Sequence, residues 1–284
     1  MRVFFSAFFL SLVHLATTQP VARLLRDFST RQPVPYATIK ILNTEKGDMA
    51  DDQGAFTLAI AQEDSVMISC IGYEPLRLRG KDLAPILFLH QKSRIMPTVR
   101  IGGKVQPTLL TIGDLRRKSH DAISWGPSDQ KEEFAQRLEL PDSTRTYQLK
   151  AVYLSVGKIH CWGAILLHVY AADPLTGNPG DELALRLITV NPKDISKGRL
   201  KLQMERDSLY FESARYFFVS VSWPPHAAAN PCTTTLRLEK SDQATTFSRT
   251  LTSKEYAWFP VKYVMNGKTT FPDAGYCIDV LLLY

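Results

Sequence analysis

Short apolar runs that are separated by turn-forming residues recur along the whole chain. In its N-terminal part these runs lie at residues 36–42, 55–58, 66–71 and 85–90. Residues 55–58 alternate between apolar and polar positions, as a half-buried strand does. The polar segment 45–53 contains a glycine and is typical of a turn. Repeated short strands with turns between them predict a β-sandwich.

The C-terminal part continues this pattern with longer apolar runs. Strands are predicted at residues 147–156, 164–171, 183–190, 198–204, 216–223, 233–238 and 277–283. Helical periodicity is almost absent from these runs. This spacing is typical of a jelly roll or a related two-sheet sandwich, so the predicted fold class is all-β.

Residues 101–146 lie between these two parts and are predicted to connect them. Asp129 and Glu132 have the spacing of a helix capping pair. Phe134 and Leu138 follow at an i, i+4 spacing, which favours a short helix. The position between two β-rich parts instead favours an edge strand that leads into the C-terminal part.

The first eighteen residues have the pattern of a secretory signal peptide. Arg2 precedes an apolar segment at 3–16, which is shorter than the roughly 20 residues that a membrane-spanning helix needs. Small residues at Ala16 and Thr18 predict cleavage before Gln19, and the alternative is an uncleaved anchor. No other segment has the length and apolarity of a spanning helix. We therefore expect an exported protein without a transmembrane span, in the periplasm or at the cell surface.

Composition and charge exclude two other classes of protein. With 45% hydrophobic and 22% charged residues, the chain is expected to fold rather than to stay disordered. The formal net charge is +6, but the basic residues are scattered except at Arg116, Arg117 and Lys118, whereas a nucleic-acid-binding protein concentrates them on one face. We therefore expect no nucleic-acid partner, while a weak preference for acidic surfaces fits the charge.

The four cysteines do not predict a disulfide scaffold in a chain of this length. Cys70 lies in an apolar run and is predicted to pack as a small hydrophobic side chain. Cys232 and Cys277 both lie in the C-terminal part, where they either pair or remain thiols. No CxxC spacing is present, so a zinc or redox motif has no support.

A set of N-terminal residues resembles a known family. The set comprises Pro33, Ala37, Thr38, the Asp-Gln-Gly-Ala-Phe segment at 52–56 and the Ile-Gly-Tyr-Glu segment at 71–74. In these residues the chain resembles the carboxypeptidase-like regulatory domain, a small transthyretin-like β-sandwich common in exported proteins of the Bacteroidetes. The resemblance covers about residues 21–100, and the Asp-Met-Ala segment at 48–50 departs from it. It implies a module that stands beside a functional domain and is not itself a catalyst.

A second, less specific resemblance concerns the C-terminal part. The segments 170–173, 176–177, 179–180 and 217–223 are similar to the domain that often follows this module in such proteins. The expected organisation is a signal peptide at 1–18, a regulatory-like β-sandwich at 19–100, a connector at 101–146 and a jelly-roll-like β-sandwich at 147–284.

The sequence offers little support for catalysis. His160 and His168 would share a face only in an unbroken strand, and Gly163 between them argues against one. Cys161 is adjacent to His160, so the two would point to opposite faces of a strand. No GxSxG, HExxH or Walker motif is present. We therefore predict that the protein is not an enzyme and that these histidines are exposed or lie at the rim of a core.

One loop is a candidate metal site. Asp173, Asn178 and Asp181 lie within nine residues, beside backbone carbonyls that proline and glycine leave free. Calcium takes about six to eight oxygen ligands and often binds such loops. The alternative is an ordinary turn, since Asp, Asn, Gly and Pro are the residues that form turns. No other cofactor is predicted.

Three aromatic residues are candidate ligand-binding positions. Trp125, Tyr256 and Trp258 lie in polar or broken segments, where an exposed ring can stack on the face of a sugar. The alternative is packing in a core, which is predicted for Trp223 at the end of an apolar strand. These residues favour a non-catalytic binding protein of the cell envelope that recognises a glycan or a surface protein. The alternative is a structural or assembly module that docks on an outer-membrane complex through its sheet edges.

Overall fold

The computed structural model describes residues 21–44, 46–92, 108–113, 123–125, 132–156, 163–204, 209–224, 236–241, 244–250, 257–265, 268–273 and 276–283. Within these residues the protein is all-β, with short 3-10 helices at Gly80–Asp82 and Pro192–Asp194. None of the described helices is long and apolar enough to cross a membrane. The predicted fold class is confirmed.

Seven strands form the N-terminal domain. They are β1 (Val21–Asp27), β2 (Thr38–Ile41), β3 (Gly47–Met49), β4 (Ala55–Leu58), β5 (Ser65–Ser69), β6 (Leu76–Arg79) and β7 (Ile86–Leu89). One sheet has the order β4-β1-β7 and the other has the order β3-β2-β5-β6. Leu25, Ile39 and Ile68 are fully buried in the core of this domain. This arrangement confirms the predicted N-terminal sandwich.

The remaining described strands belong to the C-terminal domain. They are β8 (Thr108–Ile112), β9 (Ile123–Trp125), β10 (Glu132–Glu139), β11 (Thr146–Ser155), β12 (Gly163–Ala172), β13 (Pro179–Val190), β14 (Ile195–Ser196), β15 (Arg199–Gln203), β16 (Tyr210–Glu212), β17 (Tyr216–Ser222), β18 (Leu236–Ser241), β19 (Thr246–Thr250), β20 (Phe259–Pro260), β21 (Tyr263–Met265), β22 (Lys268–Asp273) and β23 (Cys277–Leu283). The first large sheet has the order β13-β12-β17-β10-β19-β20, and the second has the order β14-β15-β11-β23-β8 with β16 paired to β11. A smaller sheet has the order β21-β22-β18-β9.

The two large sheets share one apolar core. On β12, Ile165, Leu167 and Val169 are buried in this core, as are Val219 and Val221 on β17. Side chains alternate between the two faces of a strand, so the residues between these lie on the outer face. Each fully buried Val, Leu or Ile contributes about 1.5–3 kcal/mol of transfer free energy. Antiparallel sheets around a shared core confirm the jelly-roll-like prediction.

Residues 132–139 form strand β10, so the helix that the local spacing favours here is wrong. β10 is not an edge strand either, because it pairs with β17 on one side and β19 on the other. Residues four apart lie on one face of a strand as well as of a helix. Phe134 and Leu138 accordingly both enter the core from β10.

Two further strands fall within the range that was predicted to connect the domains. β8 pairs with β23 at an edge of the second large sheet, and β9 pairs with β18. Together with β10, the range 101–146 therefore contributes strands to the C-terminal sheets. The seven C-terminal strands predicted from apolar runs are all present; the strand at 277–283 has the predicted ends, and the ends of the other six differ from those predicted.

The N-terminal domain packs on the outer face of the first large sheet. Met49 and Leu166 form a buried contact, and Tyr36 and Leu185 pack beside them. Ile71 of the N-terminal domain also packs against the C-terminal core. This apolar contact lies next to a polar region of the same sheet face.

Candidate functional site

The outer face of the first large sheet carries a row of polar side chains, most of them buried. β12 places His168 and Tyr170 on this face, and β17 places Ser220 and Ser222 there. His168 and Ser220 are direct partners in the register of the two strands. Strand pairing therefore assembles the row from residues that are distant in the sequence.

Glu133 on β10 is the centre of this row and is 3% exposed. Its Oε1 accepts hydrogen bonds from Ser220 Oγ at 2.6 Å and from Tyr170 Oη at 2.8 Å. Its Oε2 accepts one from Arg249 Nε at 2.7 Å, and Arg249 Nη2 donates to Tyr170 Oη at 2.8 Å. A buried carboxylate needs such partners, because an unpaired charge in the interior is strongly destabilising.

His168 links this centre to strand β13. Its Nδ1 lies 2.6 Å from Glu182 Oε1, and its Nε2 lies 2.8 Å from Ser222 Oγ. Nδ1 also lies 3.3 Å from Tyr170 Oη. His168 is 5% exposed, which corrects the expectation of an exposed or core-rim histidine. An imidazole with partners at both ring nitrogens is held in one orientation.

The charges in this row shift the pKa values of its members. Burial raises the pKa of Glu133, but Arg249 and His168 outweigh burial and lower it to about 2. Burial lowers the pKa of His168, but Glu133 and the hydrogen bond to Glu182 raise it above its ordinary value. These shifts favour the ionised form of Glu133 and the protonated form of His168.

A cavity of about 530 Å³ lies between this row and the N-terminal domain. Glu133, His168, Glu182 and Arg249 line it on the C-terminal side. The lining from the N-terminal domain includes Tyr36, Met49, Met67, Ser69, Tyr73 and Lys92. Hydrogen-bonding, aromatic and apolar groups of both domains thus converge on one space.

Tyr36 has a strained backbone at the wall of this cavity. Its φ of 57° lies in the left-handed region that favours glycine. A non-glycine residue in this region costs about 1–3 kcal/mol, and such residues concentrate at functional sites. The ring packs beside Met49 and Leu166 at the contact between the domains. The fold therefore holds an aromatic side chain where the two domains and the cavity meet.

The loop predicted to bind calcium forms a turn between β12 and β13. Oδ1 of Asp173 accepts hydrogen bonds from the N–H of Leu175 at 2.9 Å and of Thr176 at 2.8 Å. The Asp173 N–H donates to the Asn178 carbonyl at 2.8 Å. Asp181 lies in β13 and lines the cavity. Within the described ranges, no group of three or more His, Cys, Asp and Glu side chains is arranged to hold a metal ion.

Trp258, one of the predicted ligand-binding aromatics, is buried rather than open to a sugar, with 8% of its surface exposed. Its ring meets that of Tyr170 edge-on at 5.7 Å, and the Arg249 guanidinium lies 4.5 Å from its centre. Trp258 therefore covers the cationic end of the buried row. The side chain of Trp125 and the whole of Tyr256 lie outside the described residues.

Cys70 packs against the N-terminal core, as predicted. Burial raises the pKa of its thiol to about 12, which keeps it protonated. His160, Cys161, Cys232 and the side chain of Cys277 lie outside the described residues, so the pairing of Cys232 with Cys277 stays a prediction.

Sequence spacing does not identify Glu133, Glu182 or Arg249 as members of one site. Glu133 and Arg249 are 116 positions apart and meet only because β10 pairs with β19. One signal does point to the site. Polar residues interrupt the apolar runs of β12 and β17 at His168 and Ser220, on the outer faces of otherwise apolar strands.

Residues 25–84 match the family model described as the CarboxypepD_reg-like domain. This match confirms the resemblance of the N-terminal domain to the carboxypeptidase-like regulatory domain. The comparison with curated proteins gave no match.

Similar solved structures come from infectious bursal disease virus. The structure of its Gt strain is 9% identical, with a TM-score of 0.26, and the match covers 93% of this chain and 66% of that chain. The crystal structure of its VP2 subviral particle is 7% identical, with a TM-score of 0.26, and the match covers 92% of this chain and 63% of that chain. The chain therefore spans less than two thirds of these structures, and a likeness of this size says nothing about function.

Proposed function

We propose that the protein is a non-catalytic, exported binding protein of the cell envelope and that it recognises a glycan in the cavity between its two domains. The observation that carries this proposal is the convergence of paired charges, hydroxyl groups and tyrosine rings on one cavity. Ligand pockets are typically about 300–1,000 Å³ and combine apolar walls with a few placed polar groups. The cavity, at about 530 Å³, has that size and composition.

A neutral, polyhydroxylated ligand suits the charge of this cavity. Its acidic lining residues are Glu133, Asp181 and Glu182, and its basic ones are Lys92, His168 and Arg249. Both signs are present, so hydroxyl groups of a sugar find acceptors as well as donors. The rings of Tyr36 and Tyr73 line the same space, and aromatic faces are the usual partners of the apolar faces of sugars.

Binding is favoured over hydrolysis, although Ser222, His168 and Glu182 occur in the hydrogen-bonded order of a hydrolytic triad. Ser222 is 4% exposed and is not among the residues that line the cavity, so its hydroxyl does not face a ligand there. The raised pKa of His168, which Glu133 and Glu182 produce against the effect of burial, favours the protonated ring. A protonated imidazole cannot accept the proton of a serine nucleophile.

A glycan array tests this proposal with the purified protein, first in calcium and then in EDTA. We expect signal on a restricted set of glycans. Loss of this signal in EDTA would support a metal in the 173–181 loop, and an unchanged signal would favour recognition by the cavity without metal. A blank array with folded protein would contradict glycan binding and favour the alternative, an assembly module that docks on an outer-membrane complex.

A further inference from the structure

The outer face of the sheet β4-β1-β7 is apolar and cationic. Leu25, Asp27 and their partners on β7 are buried, so the alternate residues point outward. In the register of β1 and β7, Leu24 lies beside Ile86 and Arg26 lies beside Phe88. We call the set Leu24, Arg26, Phe28, Arg31, Ile86, Phe88 and His90 the β1–β7 face.

Large apolar side chains of the β1–β7 face are exposed to solvent. Phe28 and Ile86 are each 45% exposed, and Phe88 is 36% exposed. The ring of Phe28 stacks on that of His90 at 4.2 Å and meets Phe88 edge-on at 6.4 Å. Clustered exposed rings of this kind mark an interaction site, whereas single exposed apolar residues do not.

Cations accompany these rings. The guanidinium of Arg31 lies 4.5 Å from the ring centre of Phe88 and 5.2 Å from that of Phe28. Neither Arg26 nor Arg31 forms an ion pair with any residue in the part of the chain that the structure describes. The only carboxylate in β1, that of Asp27, points inward and is 2% exposed. The β1–β7 face therefore complements a negatively charged surface.

Asp27 builds the turn that presents Phe28 and Arg31. Its Oδ1 accepts hydrogen bonds from the N–H of Ser29 at 2.8 Å and of Thr30 at 2.6 Å. Its backbone carbonyl accepts one from the N–H of Arg31 at 3.0 Å. Arg31 has a φ of 63°, a strained left-handed conformation that this turn maintains.

The other carboxylate oxygen of Asp27 holds the neighbouring segments in place. Oδ2 accepts hydrogen bonds from Gln91 Nε2 at 2.6 Å and from Tyr73 Oη at 3.0 Å. Gln91 follows His90, whose ring stacks on Phe28. One buried carboxylate thus accepts hydrogen bonds from both chain segments that supply the ring of Phe28 and the ring of His90.

We propose that the β1–β7 face docks on an anionic lipid surface. Its side chains project from one side of a sheet, so their tips form a shallow array that suits a planar partner. Aromatic and aliphatic tips enter the boundary between headgroups and acyl chains, while Arg26 and Arg31 meet lipid phosphates. An acidic protein segment is the competing partner, and vesicle sedimentation together with polyglutamate binding distinguishes a lipid surface from a protein segment.

Vesicle sedimentation tests the proposal with the purified protein. We expect binding to vesicles of equal parts phosphatidylethanolamine and phosphatidylglycerol, and much weaker binding to phosphatidylcholine alone. High salt weakens the binding, because it screens the charges.

Arg31→Asn, in which Asn tolerates the left-handed backbone, should weaken partitioning about fivefold, the amount typical of one cation near an anionic membrane. The double variant Phe28→Ser, Phe88→Ser should abolish it.

Matched controls change residues outside the β1–β7 face. Leu175→Ser replaces an apolar side chain that is 94% exposed in the turn after β12, and Arg77→Asn replaces an exposed arginine on β6. Both should bind vesicles like the unchanged protein. Equal binding to both vesicle types, absence of binding, or equal losses in variants and controls would overturn the proposal. Binding of soluble polyglutamate that depends on Phe28 and Arg31, without vesicle binding, would assign the face to an acidic protein partner and also overturn it.

Discussion

Nδ1 of His168 lies 2.6 Å from Oε1 of Glu182, and this contact joins the buried polar row to the wall of the cavity between the domains. Glu182 is partly accessible, with 23% of its side chain exposed, while the His168 side chain is 6% exposed. A ligand in the cavity can therefore reach the Glu182 carboxylate, and the hydrogen-bonded imidazole of His168 holds that carboxylate in place.

Replacement of Glu182 by Gln should destabilise the protein by about 1–3 kcal/mol, because a buried cation loses a charged partner. Because Glu182 is partly exposed, this loss of stability should be smaller than the loss caused by breaking a fully buried ion pair. Urea denaturation measures the change. Glu139→Gln is the matched control: Glu139 is 59% exposed and lies 3.7 Å from Arg137, so its replacement should change stability by less than about 0.5 kcal/mol. Equal effects of the two substitutions would contradict the role assigned to Glu182.

The stability of the protein should depend on pH through His168. Its pKa is raised in the folded state by Glu133 and the hydrogen bond to Glu182, which outweigh the opposing effect of burial. The stabilisation is therefore complete below the pKa of an unfolded histidine, about 6.5, and is lost as the pH rises through the higher folded-state pKa. Denaturation midpoints of the protein and of His168→Gln should thus converge at alkaline pH. Parallel curves would show that His168 does not titrate as described.

Glu133 should act at the opposite end of the pH scale. Arg249 and His168, against the effect of burial, lower its pKa from 4.5 to about 2. Its stabilisation is complete above the pKa of an unfolded glutamate and is lost as the pH falls towards about 2. The denaturation midpoints of Glu133→Gln should be low at neutral pH and should fall less than those of the original protein as the pH is lowered, because other carboxylates with lowered pKa values, such as Asp142, remain. A Glu133→Gln protein as acid-sensitive as the original would contradict this assignment.

Removal of the Tyr276 hydroxyl should stabilise the protein. The side chain is 1% exposed, and its Oη has no hydrogen-bond partner among the described residues. An unsatisfied buried hydroxyl costs about 1–3 kcal/mol. Tyr276→Phe should therefore raise the free energy of unfolding, whereas Tyr147→Phe should lower it, because Tyr147 Oη accepts a hydrogen bond from the Asp142 N–H at 3.0 Å. A loss of stability in Tyr276→Phe would contradict the prediction.

Much of the fold could be predicted because strands that pack on a shared core have alternating or continuous apolar residues in their local sequence. The alternation in β11 and the apolar run of β12 identify those strands directly. The spacing of Phe134 and Leu138 does not distinguish a helix from a strand, and the local capping pattern favours the wrong one. Only the pairing of β10 with both neighbours decides this case, and pairing is a property of the whole sheet.

The candidate site could not be predicted for the same reason. Its members come from β10, β12, β13, β17 and β19. Residues on these different strands do not form a sequence motif that is typical of a binding or catalytic site. The burial of Trp258 could not be predicted from its local sequence either. The broken segment around it suggests exposure, yet a cation and a tyrosine ring cover it from other strands. Asp181, a predicted metal ligand, lines the cavity, which its position in a run of turn-forming residues did not indicate.

Calorimetric titration of an array-positive glycan into the protein, Asp181→Ala and Asp194→Ala tests the central claim most directly. Asp181 lines the cavity, while Asp194 is an exposed residue of the 3-10 helix Pro192–Asp194 and does not. Loss of a hydrogen bond to a charged acceptor should weaken binding by Asp181→Ala about tenfold or more, with Asp194→Ala unchanged. Equal affinity of all three proteins would place the glycan elsewhere and contradict the assignment of the cavity.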